Sequence, residues 1–127
     1  SVSVVMRFRV GDADRAEFLA SARGAIELLR QSEGFLTASI GQSVDESQLL
    51  TIQTEWESVG AYRAGMSKYE VKATVIPFLS QAADEPTVFE ALVIATPTHM
   101  LDFESGLASD AHEVSLGEAA TDHAPRL

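Results

Sequence analysis

Two aromatic side chains with polar ends, Trp56 and Tyr62, and one lysine, Lys72, lie within seventeen residues of each other. An indole N–H, a phenolic hydroxyl and an ammonium group can orient an electron-rich ring, relay a proton and stabilise an anion. Tyr62 and Met66 are four residues apart, so a helix would present both on one face, directed back toward Trp56. Spacing alone favours a plainer interpretation, in which Trp56 and Tyr62 are core residues with polar tips.

Composition excludes most other familiar chemistries. The chain has no cysteine, which excludes disulfides, thiol nucleophiles and cysteine-ligated metals, and it has no asparagine. The three histidines, His99, His112 and His123, lack the spacing of a metal site. No glycine-rich dinucleotide motif follows a strand, and no serine lies in a nucleophile elbow. We therefore expect any activity to need no metal, flavin or nicotinamide cofactor.

Charge is distributed unevenly along the 127 residues. Nineteen acidic and nine basic residues give a net charge of −10, which disfavours nucleic acid and anionic membranes as partners. Residues 95–127 carry six acidic residues and one basic residue. We predict a folded domain over 1–94 and an acidic C-terminal extension over 95–127. No apolar run is as long as a membrane span and no signal peptide is recognised, so a cytoplasmic protein is expected.

The predicted secondary structure must bring these side chains together. Four stretches have the alternation and residue types of strands: 2–10, 35–43, 48–57 and 87–94. Three stretches have helical spacing: 15–31, 59–66 and 68–82. Ser58 is a candidate N-cap for the second of these helices, and Pro77 should bend or break the third. This βαββαβ order predicts an α+β, ferredoxin-like fold, with a four-stranded antiparallel sheet covered by helices on one face.

Apolar residues occupy both faces of the predicted strands. Val5 alternates with Val4, and Phe89 and Val93 alternate with Val88 in the last strand. Helices on one face would leave the other face uncovered, and soluble monomers rarely expose large apolar patches. Packing of two sheets face to face would bury these residues. The sequence therefore predicts a homodimer.

Residues 54–63, with the sequence TEWESVGAYR, together with the segment SEGF at 32–35, resemble the antibiotic biosynthesis monooxygenase family. The resemblance in element order extends over about residues 3–94. It implies small ferredoxin-like domains that dimerise into an α/β barrel. Haem-degrading members use an Asn, a Trp and a His where this chain has Met6, Gly65 and Thr74, so haem degradation is not expected.

Cofactor-independent oxygenases of aromatic polyketide pathways are more similar in motif. Their Trp-Glu-Ser-x-x-Ala-Tyr-Arg segment matches Trp56, Glu57, Ser58, Ala61, Tyr62 and Arg63. The resemblance implies that Trp56 and Tyr62 are the catalytic residues, in a pocket between the sheet and the helices. The substrate-binding residues expected around them are Met6, Phe8, Ile52, Met66 and Lys72. Ile52 replaces an Asn of these enzymes and cannot hydrogen-bond a substrate carbonyl.

The function expected from this resemblance is oxidation of a phenolic or anthrone-type aromatic compound by O2 to a quinone. Such a substrate supplies the electrons itself, because its anion reacts with O2 once a proton has been removed. Two alternatives from other classes stay open. One is a non-oxidative isomerase or cyclase on the same scaffold. The other is a non-catalytic dimeric module that binds a small ligand or a protein partner.

Overall fold

A computed structural model of the protein describes residues 1–105. Six strands are present there: β1 (Val2–Arg9), β2 (Phe35–Gln42), β3 (Leu49–Trp56), β4 (Val88–Glu90), β5 (Val93–Ala95) and β6 (Met100–Asp102). The helical segments are a 3-10 turn (Asp12–Asp14), α1 (Arg15–Leu29), α2 (Val59–Met66), a π-helical turn (Val71–Val75) and α3 (Ile76–Leu79). Four strands form one antiparallel sheet in the order β2-β3-β1-β4. The predicted α+β, ferredoxin-like fold is confirmed.

The core lies between this sheet and the helices. β1 and β3 are its central strands and pair along their whole length, from Val2 opposite Trp56 to Arg9 opposite Leu49. Alternate residues of both strands point to the helices, and most of them are buried. The helix predicted over 15–31 is confirmed as α1, with one apolar stripe facing the core. Four members of the stripe, Phe18, Ala22, Ala25 and Leu29, are buried, and two more, Leu19 and Ile26, are partly buried.

Gly34 sets the approach of α2 to the sheet. Its φ of +87° lies in the left-handed region, which glycine adopts without a steric penalty. A Cβ atom added there would lie 2.5 Å from the Cβ of Ala61 on α2. The Gly34 carbonyl also accepts a hydrogen bond of 2.8 Å from the backbone N–H of Glu57. This turn after α1 therefore holds the start of α2 close to the end of β3.

The predicted break at Pro77 takes the form of a π-helical turn. This turn spans Val71–Val75, and the backbone N–H of Ile76 bonds back to the Val71 carbonyl. Proline has no N–H, and its ring clashes with the carbonyl four residues earlier in a regular α-helix. A wider turn before Pro77 relieves that clash. It also keeps Val71 and Val75 buried in the core.

The prediction of a last strand over 87–94 is wrong in its second half. β4 ends at Glu90, opposite Val2 near the start of β1, and the next backbone N–H, that of Ala91, donates to the Ser1 carbonyl. Within residues 1–105, the chain after Glu90 does not continue this pairing with β1 as a strand. The chain instead forms a separate hairpin from β5 and β6. This hairpin has residues on both sides of position 94, where the predicted domain boundary stays a prediction.

The sheet face opposite the helices is more polar than predicted. On β1 and β3 it carries these side chains: Ser3, Val5, Arg7, Arg9, Leu49, Thr51, Gln53 and Glu55. The Ser3 hydroxyl donates to the Glu55 carboxylate at 2.7 Å. Exposed apolar residues gather instead along β4 and the hairpin: Phe89, Leu92, Val93, Met100 and Leu101. Within residues 1–105, no helix is long and apolar enough to cross a membrane.

Candidate functional site

A small, largely enclosed cavity lies between the sheet and the helices. Its free volume is about 10 Å³, and it is bounded by side chains of β1, β3, α1, α2 and α3. Five of the seven predicted site residues line it: Met6, Ile52, Trp56, Tyr62 and Met66. This volume corresponds to about one water molecule. An aromatic ring can enter only when side chains on the helix side move away from the sheet.

The other two predicted site residues, Phe8 and Lys72, do not line this cavity. Phe8 is two residues beyond Met6 on the same face of β1, and its ring packs 5.0 Å from that of Phe18 between the centroids. It thus belongs to an aromatic cluster at the other end of the core. Lys72 is exposed, because the π-helical turn directs its neighbour Val71 into the core instead. The expectation that these two residues contact a substrate finds no support in their placement.

Trp56 forms the floor of the cavity and is 0% exposed. Its indole N–H donates to the Thr54 hydroxyl at 2.9 Å. The rings of Phe35 and Tyr62 meet its ring edge-on, with centroids 5.3 and 5.7 Å away. An indole has a single N–H. The hydrogen bond to Thr54 therefore occupies the one polar group with which Trp56 could orient a substrate.

Tyr62 closes the cavity from the helix side. It lies on α2, whose first turn is capped as predicted, with the Ser58 hydroxyl accepting from the Ala61 N–H at 3.0 Å. The Tyr62 hydroxyl has no hydrogen-bond partner in the part of the chain that the structure describes. Burial raises the pKa of this hydroxyl above its usual value of about 10. Tyr62 is therefore a neutral phenol near pH 7, and its hydroxyl can donate or accept a hydrogen bond.

Gly65 on α2 lies directly against the Trp56 ring. A Cβ atom added to Gly65 would lie 2.9 Å from Cη2 of Trp56 and 3.1 Å from the Ser32 hydroxyl. No side chain fits here without displacing a fully buried indole. The Ser32 hydroxyl itself is buried and has no hydrogen-bond partner among the residues described. Gly65 is thus the contact that lets α2 lie flat on Trp56.

The site residues predicted from the sequence did not include Thr54. It is 5% exposed, lines the cavity and holds the Trp56 indole. A signal was present, since Thr54 is the one polar residue that alternates with Leu50, Ile52 and Trp56. Buried polar groups usually have a hydrogen-bond partner. That rule predicts a hydrogen-bond partner for the Thr54 hydroxyl, but it does not identify the Trp56 indole as that partner.

Outside this cavity, the described residues include a groove and a histidine with possible ligand chemistry. An open groove of about 710 Å³ runs between α1 and the edge strand β2, and none of the predicted site residues lines it. Over residues 1–105, no three side chains of His, Cys, Asp or Glu are grouped so that they could hold a metal ion. His99 is exposed and contacts the Thr98 hydroxyl through Nδ1 at 2.9 Å, while His112 and His123 lie outside the described residues.

The protein is a small ferredoxin-like domain with an enclosed apolar cavity between its sheet and its helices. The model of the antibiotic biosynthesis monooxygenase family matches residues 1–75, which is more than half of the chain. The chain belongs to this family, as its resemblance predicted. Among curated proteins, none matches the sequence.

Solved structures agree with this fold. SnoaB, a cofactor-independent oxygenase from Streptomyces nogalater, superposes with a TM-score of 0.63 at 19% identity, over 77% of this chain and 97% of that chain. A conserved protein from Methanosarcina mazei Go1 has a TM-score of 0.58 at 23% identity, over 69% and 89%. Rv0793 from Mycobacterium tuberculosis has a TM-score of 0.60 at 19% identity, over 75% and 98%. At these identities the similarity shows the fold alone.

Proposed function

We propose that this protein is a cofactor-independent monooxygenase that oxidises a phenolic or anthrone-type aromatic compound with O2 to a quinone. The observation that carries the proposal is the convergence of Trp56 and Tyr62 on one enclosed apolar cavity. Once its walls have moved apart, an apolar site of this kind is suited to an aromatic ring and to excluding water from a reactive intermediate. Membership of a monooxygenase family and the fold shared with SnoaB support the same reaction class.

The reaction balances without any added reductant. In an anthrone, or in the keto form of a phenol whose para carbon is unsubstituted, the ring CH2 group loses a proton, and the resulting anion reacts with O2 to give a hydroperoxide at the same carbon. Loss of water from the hydroperoxide leaves a C=O group, so one oxygen atom enters the product and the other leaves as water. The electrons come from the two C–H bonds of the substrate.

In this proposal Trp56 and Tyr62 have different tasks. Trp56 supplies an aromatic surface for the substrate ring, while the neutral Tyr62 hydroxyl donates a hydrogen bond to the anion or the peroxide. Met6, Ile52 and Met66 form the apolar walls. Phe8 and Lys72 take no part, because they lie outside the cavity.

The test is oxygen uptake by chelator-treated protein, supplied with anthrones, naphthols and hydroquinones and with no flavin, metal or nicotinamide. We expect quinone formation, and Tyr62→Phe should slow turnover by about tenfold or more if the hydroxyl relays a proton. The matched control is Tyr69→Phe, since Tyr69 is 83% exposed and lies outside the cavity. No oxygen uptake with any substrate would overturn the proposal.

Two observations favour the alternatives, namely the small size of the cavity and the hydrogen bond that already occupies the Trp56 indole N–H. A non-oxidative isomerase or cyclase would convert its substrate equally well under nitrogen. A non-catalytic binding module would bind an aromatic ligand without converting it. Running the same substrates with and without oxygen separates the three functions.

We also propose a homodimer in a cytoplasmic setting. Exposed apolar side chains occur on the edge strand β4 and on the hairpin that follows it, and clusters of such residues usually mark an interface. A charge placed there should shift the protein toward monomer in sedimentation or light-scattering measurements, for example Leu101→Lys. Val44→Lys is the matched control, because Val44 is 97% exposed in the turn between β2 and β3. A wild-type protein that is monomeric at all concentrations would contradict the dimer.

A further inference from the structure

Thr54 lines the cavity from β3, one of the two central strands of the sheet. It lies on β3, which pairs with β1 on one side and β2 on the other. Thr54 is 5% exposed and lines the cavity, as do Ile52 and Trp56 on the same strand. A group attached to a central strand keeps its position while helices on the other wall move.

The hydrogen bond with Trp56 fixes how this hydroxyl is used. An indole N–H can only donate, so the Thr54 oxygen must be the acceptor of the 2.9 Å contact. A hydroxyl that accepts one hydrogen bond still has its own hydrogen to donate. No acceptor for that hydrogen is present within residues 1–105. Thr54 therefore holds a buried donor whose partner has to come from elsewhere.

The rest of the cavity offers little competition for a polar ligand atom. Val4, Met6, Ile52 and Met66 supply no N–H or O–H group to it through their side chains. Tyr62 is the other hydroxyl, and it lies on α2, on the wall that must move before a ring can enter. The sheet wall thus has one available donor.

We propose that the Thr54 hydroxyl donates the hydrogen bond that orients an oxygen-bearing aromatic ligand in this pocket, and that Trp56 is its positioning residue. The inference rests on the proposed function only in taking an aromatic ligand with a phenolic or carbonyl oxygen. It reverses the simpler expectation that the indole N–H meets the ligand. The indole instead directs the Thr54 hydrogen away from itself, toward the ligand oxygen.

The experiment compares two probes of nearly equal shape, 1-naphthol and 1-methylnaphthalene, by equilibrium dialysis without oxygen. The full chain is used as wild type, Thr54→Val and Thr54→Ser. A hydrogen bond between neutral groups predicts that Thr54→Val weakens 1-naphthol binding by about tenfold. Binding of 1-methylnaphthalene should change by less than about twofold, because a methyl group accepts no hydrogen bond. Thr54→Ser, which keeps the hydroxyl, should restore most of the 1-naphthol affinity.

Thr51→Val is the matched control, since Thr51 is on the same strand but on the face away from the helices. It should leave both affinities unchanged. Trp56→Phe should reduce the preference for 1-naphthol in part, because the Thr54 hydroxyl loses the donor that directs it. An equal loss for both probes in Thr54→Val would overturn the inference and leave Thr54 a packing residue. Failure of wild type to bind either probe would overturn it as well.

These results are separable from those on the oxygenase reaction. A preference for 1-naphthol that depends on Thr54, in a protein that consumes no oxygen, would overturn the proposed function and support the donor. Oxygen consumption with no effect of Thr54→Val on the preference would overturn the donor and leave the proposed function standing.

Discussion

The two walls of the cavity are built in different ways. The sheet wall consists of Met6, Ile52, Thr54 and Trp56, on two central strands that pair over eight residues. The helix wall combines three residues of α1 (Ala25, Ile26 and Leu29), Tyr62 and Met66 of α2 and Leu79 of α3. Of these helices, α2 is held by its N-cap and by two glycine contacts. A ladder of backbone hydrogen bonds resists local opening better than the side-chain packing of helices on a sheet does. One wall is therefore suited to orienting a ligand and the other to admitting it.

The strongest test of this difference compares an alanine substitution in each wall. Trp56→Ala should lower the free energy of unfolding by roughly 3–5 kcal/mol, because it removes the largest fully buried side chain. Met66→Ala should cost less, about 1–2 kcal/mol, since Met66 is only partly buried. Denaturant titration measures both. Equal losses would mean that the two walls contribute alike to stability.

Gly65 tests how tightly α2 lies on the sheet wall. Gly65→Val should destabilise the protein by about 1–3 kcal/mol, because the new side chain collides with the Trp56 ring and no flexible group can yield. Thermal unfolding is the measurement. Gly24→Ala is the matched control in the middle of α1, where an added Cβ meets nothing within 4 Å and a stabilisation of about 0.5–1 kcal/mol is expected. A neutral Gly65→Val would show that α2 moves aside freely.

The smallest expected effect concerns alkaline pH. The unfolded chain loses the Tyr62 proton near pH 10, whereas the buried native hydroxyl keeps it to higher pH. The native state then binds more protons than the unfolded state, so stability falls as the pH rises above about 10. Tyr62→Phe should lose less stability than wild type across this range, in urea titrations at a series of pH values. Tyr69→Phe is the control, and a wild-type slope in Tyr62→Phe would contradict the burial of the hydroxyl.

Local patterns in the sequence were sufficient for most of the fold. The stripe on α1 and the N-cap of α2 depend on neighbours three or four residues away, and both are confirmed. The extent of β4 depends on a distant partner, since β4 pairs with Val2–Val4 of β1. No pattern within residues 87–94 carries that information. The predicted strand was therefore too long.

The site shows the same division between local and distant causes. Alternation placed Ile52 and Trp56 on one face of β3, and helical spacing placed Tyr62 with Met66, so these residues meet as expected. Alternation also placed Phe8 on the same face of β1 as Met6. That face of the strand extends beyond the cavity, so Phe8 shares the face without lining the cavity. Phe8 packs against rings from α1 and α3, which a strand pattern cannot foresee. Whether these residues act on a substrate stays a prediction.

The chain contains a single tryptophan, and that residue is Trp56. Every photon of indole emission therefore originates at the floor of the cavity, from a ring shielded from solvent and bonded to Thr54. The protein thus has an intrinsic optical reporter of its own pocket. The emission maximum or the fluorescence lifetime should therefore change when a ligand enters, when water enters or when α2 moves away from the sheet. No label has to be attached to the chain.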